Sequence, residues 1–219
     1  RNTPEPQLQQ AEAVGALAAA AGVVLASGAA KGVDETAMLG SLAAGGCAIG
    51  VVADSLEKVS ARPIWRQALV EGRLLLLSSD TPSARFQVWR AMARNKLIYA
   101  LADAALVVSS AKGEGGTWTG AMEQLQKLQF CPLHVLNDPR GGAGLAALAE
   151  TGAQPWSNPA SPEALLALLR ETELPQATTP ATAPAEMEQG SLLESALIEP
   201  PQPRSHSDVA AEVAPGAVV

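Results

Sequence analysis

Two short glycine-bearing stretches hold the residue types best suited to chemistry. The first, residues 25–37, reads LASGAAKGVDETA. An apolar run breaks at Ser27-Gly28, Gly32 follows, and Asp34 opens a run of helix formers. A strand that stops at glycines and restarts as a helix presents backbone N–H groups without intrahelical partners, at the positive end of the helix dipole. Such a turn suits phosphate, and Lys31 adds a cation. The same glycines also suit a plain strand-to-helix turn, because two glycines and a lysine form a loose motif. The second stretch runs from Lys112 through Gly113, Gly115 and Gly116 to Thr117, again ahead of a helical run. A third group, Arg94-Asn95-Lys96, lies within a long predicted helix. There Arg94 could clamp a phosphate with two parallel hydrogen bonds and Lys96 could act as a point charge. A solvated helix face is the other reading of such a run. Asn95 could instead tie two loops together by hydrogen bonds.

Other polar residues carry less chemistry. Asp34 sits where a helix cap belongs more naturally than a catalytic acid. Ser27 has no histidine near it in sequence and no nucleophile-elbow setting. Glu123 as a general base requires a pocket and a shifted pKa.

Hydrophobic patterning sets these groups on alternating elements. Helices are predicted over 5–21, 34–44, 63–71, 86–101, 117–128, 144–150 and 161–171, with strands over 23–27, 47–53, 74–77, 104–108 and 131–136. In the helix over 86–101 the expected buried positions are Val88, Met92, Leu97 and Leu101. Near-continuous apolar strands between helices predict an α/β fold, a Rossmann-like doubly wound and mostly parallel sheet with helices on both faces. Ligands of such sheets bind at the carboxyl ends of the strands, where both glycine turns lie.

Composition bounds the rest. The chain has 219 residues, 47% hydrophobic but only 3% aromatic, so aliphatic residues and alanine must build the core. Cys47 and Cys131 both border apolar runs and are expected as buried free thiols. They form no metal spacing with His134 and His206. No cofactor or metal is expected. No signal peptide or long apolar span is present in the sequence, so a cytoplasmic protein without a membrane segment is expected. The net charge of −7 is carried by residues 171–219, which hold one arginine and eight acids, while residues 1–170 balance at 14 of each sign. Lys58, Arg62, Arg66, Arg73, Arg85, Arg90, Arg94 and Lys96 are opposed within their stretch only by Glu71 and Asp80. A basic face can therefore exist on an acidic chain. Trp65, Phe86, Trp89 and Trp118 are candidate stacking platforms, with two of the four expected in the core.

Three stretches together resemble the DNA-processing protein A family, DprA (also called Smf). They are SGAAKGVD at 27–34, RNKLI at 94–98 running into ADAALVV at 102–108, and GEGGTWTGA at 113–121. Their order and separation match the family's as well. Arg1 stands where the family has the arginine of a turn that follows its first strand, so that strand is expected upstream. Met38 replaces a histidine usual in the family, and the C-terminal part does not resemble the winged helix of many members.

The resemblance implies single-stranded DNA binding without catalysis, the handling of incoming DNA in natural transformation and recombination, loading of RecA recombinase, and a homodimer. It implies a phosphate site made of Arg1, Ser27, Gly28, Lys31, Gly32, Arg94, Asn95, Lys96, Gly115, Gly116 and Thr117. The enzyme alternative is a nucleotide-derivative site, with a phosphoribohydrolase resembling the LOG enzymes and Arg94 and Glu123 as its catalytic pair. Glu123, however, lies six residues beyond Thr117, where the LOG signature asks for three.

The domain expected to carry all this spans 1–173. Residues 174–219 are rich in proline, alanine and glutamate and are expected to be a disordered acidic tail. Such a tail could compete with DNA for a basic groove.

Overall fold

The computed structural model describes residues 3–171. Arg1 and residues 174–219, and with them the expected tail, lie outside the described residues. Helix α1 (Glu5–Ala20) leads into strand β1 (Leu25–Ser27), helix α2 (Val33–Ala43), strand β2 (Ala48–Val51) and two short helices, α3 (Leu56–Ser60) and α4 (Pro63–Val70). Strand β3 (Leu74–Leu77) and helix α5 (Val88–Leu101) follow. The second half comprises β4 (Ala105–Val107), α6 (Gly115–Glu123), β5 (Leu133–Val135), α7 (Ala143–Glu150), β6 (Gln154–Pro155) and α8 (Pro162–Glu171).

All strand pairs are parallel, as the apolar runs require, but the strands form two sheets rather than one. β1-β2-β3 is one sheet and β4-β5-β6 the other. Register places Leu25 beside Ala48, Ala48 beside Leu74, and Ala105 beside Leu133. β1 and β4 are the facing edges. α3 and β6 were not expected. Ser55 starts α3 by accepting the Lys58 N–H on its hydroxyl, and β6 is only two residues long. The helical run expected to reach 128 widens into a π-helical turn over Gln124–Leu128, where Gln124 Nε2 donates to the Cys131 carbonyl at 2.6 Å.

The core is aliphatic, as the composition demands. Ala37, Met38, Val51, Ile98, Val107 and Leu148 are at most 2% exposed. Helices α1 and α2 touch backbone to backbone. A Cβ on Gly15 would overlap the Ala37 carbonyl, and one on Gly40 would lie 2.5 Å from the Glu12 carbonyl. Cys131 is buried as expected, and burial pushes its thiol up to about 12. Cys47 is free but exposed, contrary to expectation, in the segment just ahead of β2.

Helix α5 is turned away from the predicted face. Val88, Leu97 and Leu101 are 42%, 40% and 51% exposed, and Met92 is only half-buried. Its buried face is Arg94, Asn95, Ile98 and Tyr99. A stripe at i, i+1, i+4 and i+5 is a helical face, but its first two members are polar.

Candidate nucleic-acid interface

The site is built by two polar neighbours on α5. Arg94 is only 7% exposed. Its Nη1 donates to the Val51 carbonyl at the end of β2 at 3.2 Å and lies 3.7 Å from Asp34 Oδ2. The guanidinium covers Gly28 so closely that a Cβ there would land on Nη1. Asn95, also buried, turns the other way and donates from Nδ2 to the Gly116 carbonyl at 3.2 Å. One helix therefore grips both glycine turns through adjacent residues, one turn after β1 and the other ahead of α6.

The first turn already holds an anion. Asp34 is 4% exposed. Burial raises its pKa to about 6, and the Arg94 charge, the Ala30 amide, the Ser27 hydroxyl and the Gly28 amide oppose that rise. Burial likewise lowers the Arg94 pKa, against the pull of Asp34. The pair is thus a charge and countercharge enclosed under the turn. Ala29 adopts φ +52° and Gly32 φ +103°. The second conformation suits only glycine, and the first is a cost carried by the turn.

The expected phosphate residues separate into a floor and a rim. Ser27, Gly28, Arg94, Asn95, Gly116 and Thr117 are buried and form the floor, with Gly32 and Gly115 half-buried above them. Lys31 is exposed. The guanidinium of Arg94 is enclosed, so Arg94 does not lie on a solvated face, whereas Lys96 is exposed. Lys96 points to the opposite side of α5, and its Nζ pairs with Glu123 Oε1 at 2.8 Å. Arg94 and Glu123 are therefore not brought together as the enzyme alternative needs. Glu123 ends α6, about 12 Å along the helix from the turn at Gly115.

Positive charge at the rim comes instead from loops. Lys31 follows β1, Lys112 follows β4, and Arg85 lies in the segment before α5. That segment is fixed near the end of β2, where the Phe86 N–H donates to Asp54 Oδ1 at 3.0 Å. Lys31, Arg85 and Lys112 are exposed, and none forms an ion pair among the described residues. Asp54, after β2, and Glu114, after β4, are exposed carboxylates in the same kind of segment. Arg62, in contrast, pairs with Glu35, and Arg90 pairs with Asp80 at 2.9 Å.

Aromatic residues divide as expected. Trp65 is fully buried and Trp118 half-buried against the core. Phe86 and Trp89 are 48% and 61% exposed. The Arg90 guanidinium lies 4.9 Å from the Trp89 ring centroid, and Arg90 Nη1 also donates to the Arg85 carbonyl at 2.6 Å. Arg90 thereby steadies an exposed indole beside an exposed cation. Lys112 and Arg85 were legible as charges in the sequence, but only the fold shows that they share an edge with Lys31.

No helix among the described residues is long and apolar enough to cross a membrane. No cluster of metal-ligating side chains occurs among them.

Residues 1–164 match the family described as DNA recombination-mediator protein A. Over 139 residues the chain is 29% identical to the DNA processing protein DprA of Bacillus subtilis, covering 62% of this chain and 46% of that protein. Among solved structures, DNA processing protein A of Helicobacter pylori, studied for its single-stranded DNA binding mode, superposes with a TM-score of 0.61 at 26% identity. That match covers 79% of this chain and 78% of the other. DprA of Streptococcus pneumoniae superposes with a TM-score of 0.62 at 20% identity, over 76% of this chain and 58% of the other, which shows the shared fold. The chain spans about half the length of the Bacillus subtilis relative.

Proposed function

This chain belongs to the DNA recombination-mediator protein A family, and on that footing we propose that it binds single-stranded DNA along the carboxyl edge of its strands, without catalysis. The observation that carries the proposal is that Lys31, Arg85 and Lys112, exposed and without ion pairs among the described residues, each lie in a segment that follows a parallel strand. Exposed Phe86 follows Arg85, and exposed Trp89 is tied to it through Arg90. Charge along a groove with flat side chains for stacking is what a single strand needs. The relative that is 26% identical is described by its single-stranded DNA binding mode, and it supports the same reading.

In this mechanism the buried Arg94–Asp34 pair and Asn95 shape the glycine turns, and the rim cations meet the phosphates. Phosphate contacts carry no sequence information, so preference among sequences is weak and dependence on salt is strong. The handling of incoming DNA in natural transformation, the loading of RecA and a homodimer belong to the same proposal, as the family resemblance implies, and a cytoplasmic location goes with them.

The test is fluorescence anisotropy with a labelled single strand of about 20 nucleotides at several salt concentrations. The expected result is micromolar or tighter binding with a steep salt slope, and single strand outcompeting duplex. No binding even at low salt overturns the proposal.

A further inference from the structure

The carboxylate held under the first glycine turn limits what that turn can accept. Asp34 is 4% exposed, and it accepts from the Ala30 and Gly28 amides and the Ser27 hydroxyl. These are donors of the kind that a strand-to-helix turn offers to a phosphate. Part of the cradle is therefore turned inward, onto a carboxylate of the chain itself. Asp34 Oδ1 is buried and has no hydrogen-bond partner among the described residues. A proton can settle on that oxygen without breaking a bond that the carboxylate makes.

The surroundings hold one countercharge. Arg94 of α5 brings Nη1 to 3.7 Å from Asp34 Oδ2 and makes no other ion pair among the described residues. β1 contributes the Ser27 hydroxyl, and the turn contributes exposed Lys31. Thr3, ahead of α1, brings its hydroxyl near Gly32. Glu35, the next acid on α2, is paired with Arg62 of α4. From β2 the Val51 carbonyl accepts from Arg94. Ionised Asp34 thus cancels the charge of Arg94. Protonated Asp34 leaves that charge standing beneath Gly28, where no Cβ intervenes.

A phosphate drawn to Lys31 comes over the same short turn. With Asp34 ionised it meets an enclosed carboxylate, whose repulsion is weakly screened. With Asp34 protonated it meets the uncovered charge of Arg94 instead.

We propose that Asp34 decides whether the first glycine turn admits a phosphodiester, and that it does so by taking up a proton from solvent at Oδ1 as the strand binds. No side chain needs to move, because the proton alone changes the charge under the turn. The proposal rests on the single-stranded DNA binding proposed above and adds a proton to it. Without DNA, Asp34 gives up its proton at about 6. A bound phosphate shifts that loss to higher pH. Between the two values affinity falls as pH rises, by up to about tenfold per pH unit, and it levels off below the lower one.

The experiment is isothermal titration calorimetry of the full chain with an oligonucleotide of about 20 thymidines, between about pH 6 and 8. Paired phosphate-free buffers of different ionisation enthalpy are used. Diesters and thymines do not titrate over this range, so the buffer dependence counts protons taken up by the protein. The expected result is uptake of about half a proton or more near neutral pH, with affinity rising as pH falls. Asp34→Asn should bind with no uptake and a flat profile, and about tenfold more tightly than the unsubstituted chain at the alkaline end. Binding without uptake in the unsubstituted chain overturns the proposal, and so does uptake that persists in Asp34→Asn. Failure of the DNA reading looks different, because the oligonucleotide then binds neither protein at any pH. Sulfate, which does not titrate here, then serves as the probe, read as the rise it gives in thermal midpoint over chloride of equal ionic strength. A larger rise at the acid end, absent from Asp34→Asn, supports the proposal, and equal rises at both ends overturn it. Should Asp34→Asn fail to fold, the carboxyl carbon of Asp34 is titrated by NMR in the unsubstituted chain with and without the probe. A midpoint raised by about one pH unit or more supports the proposal, and an unmoved midpoint overturns it.

Discussion

The guanidinium of Arg94 occupies the place that a side chain on Gly28 would take. The two residues are far apart in sequence, and each fixes what the other can be. Gly28→Ala forces the guanidinium off the Val51 carbonyl and crowds Asp34 Oδ2, 2.5 Å from the new methyl position. The expected cost is about 1–3 kcal/mol in urea unfolding. In an Arg94→Ala background the same substitution should cost measurably less, with a coupling of about 0.5–3 kcal/mol. Additive costs would refute the contact.

Asp34 makes stability depend on pH in an unusual direction. Its pKa is raised from 3.8 to about 6 in the folded protein. The stability this contributes is fully present below the unfolded value and is lost as pH rises through about 6. The loss is on the order of 3 kcal/mol. Arg94→Met removes the charge that opposes the rise, so the loss should extend to higher pH. Urea midpoints between pH 4 and 8 check this, and the double variant Arg94→Met/Asp34→Asn should show no slope from this site. Superimposable profiles for the protein and Arg94→Met would sink the assignment.

His134 acts with the opposite sign. It is 3% exposed and meets Trp156 edge to face at 5.7 Å. Burial lowers its pKa from 6.5. Its contribution is held above pH 6.5 and is lost as pH falls through the lower folded value. His134→Phe keeps a ring against Trp156 and should abolish this acid-side loss. Circular dichroism melts across the same pH range would show it, and an unchanged acid limb would exclude His134 as its source.

Salt slopes separate the rim cations from Lys96. For a single strand each phosphate contact removed should flatten the slope of log K against log salt by about 0.7. Lys31→Ala, Arg85→Ala and Lys112→Ala are each expected to do so. Lys96→Ala, which breaks an exposed pair with Glu123, should leave the slope unchanged and cost no more than about 1 kcal/mol of stability. The reverse pattern would move the interface to the outer face of α5 and α6.

Trp89→Ala tests stacking apart from charge. Loss of a base platform is expected to cost about 1–3 kcal/mol of binding while the salt slope stays the same. A change in slope without a change in affinity at low salt would argue against stacking.

Much of the architecture was legible because strands and turns announce themselves locally. The apolar run before Ser27-Gly28 and the glycine turn from Gly113 to Gly116 placed the element ends around them within a few residues. The phase of α5 was not legible. Arg94 and Asn95 are buried because partners distant in the chain, Asp34 with Val51 and the Gly116 carbonyl, receive them. Periodicity counts apolar residues, so it assigned the core to Val88, Leu97 and Leu101, which face outward. Within the candidate site the glycine turns were readable as a pattern. The burial of their charge pair and the edge shared by Lys31, Arg85 and Lys112 arise only from the fold. The separation into two sheets was equally hidden, because each strand alone reads as buried on both faces.

The close backbone contact of α1 and α2 at Gly15 and Gly40 bears on the timing of binding. Two helices that meet without intervening side chains have no soft layer in which to slide, so the turn at the head of α2 moves only if both move. A strand of DNA would then meet a surface already in its bound shape. Association should proceed at a rate set by charge and diffusion, with no slow closing step. Differences in affinity among variants should appear as differences in how long the complex lasts.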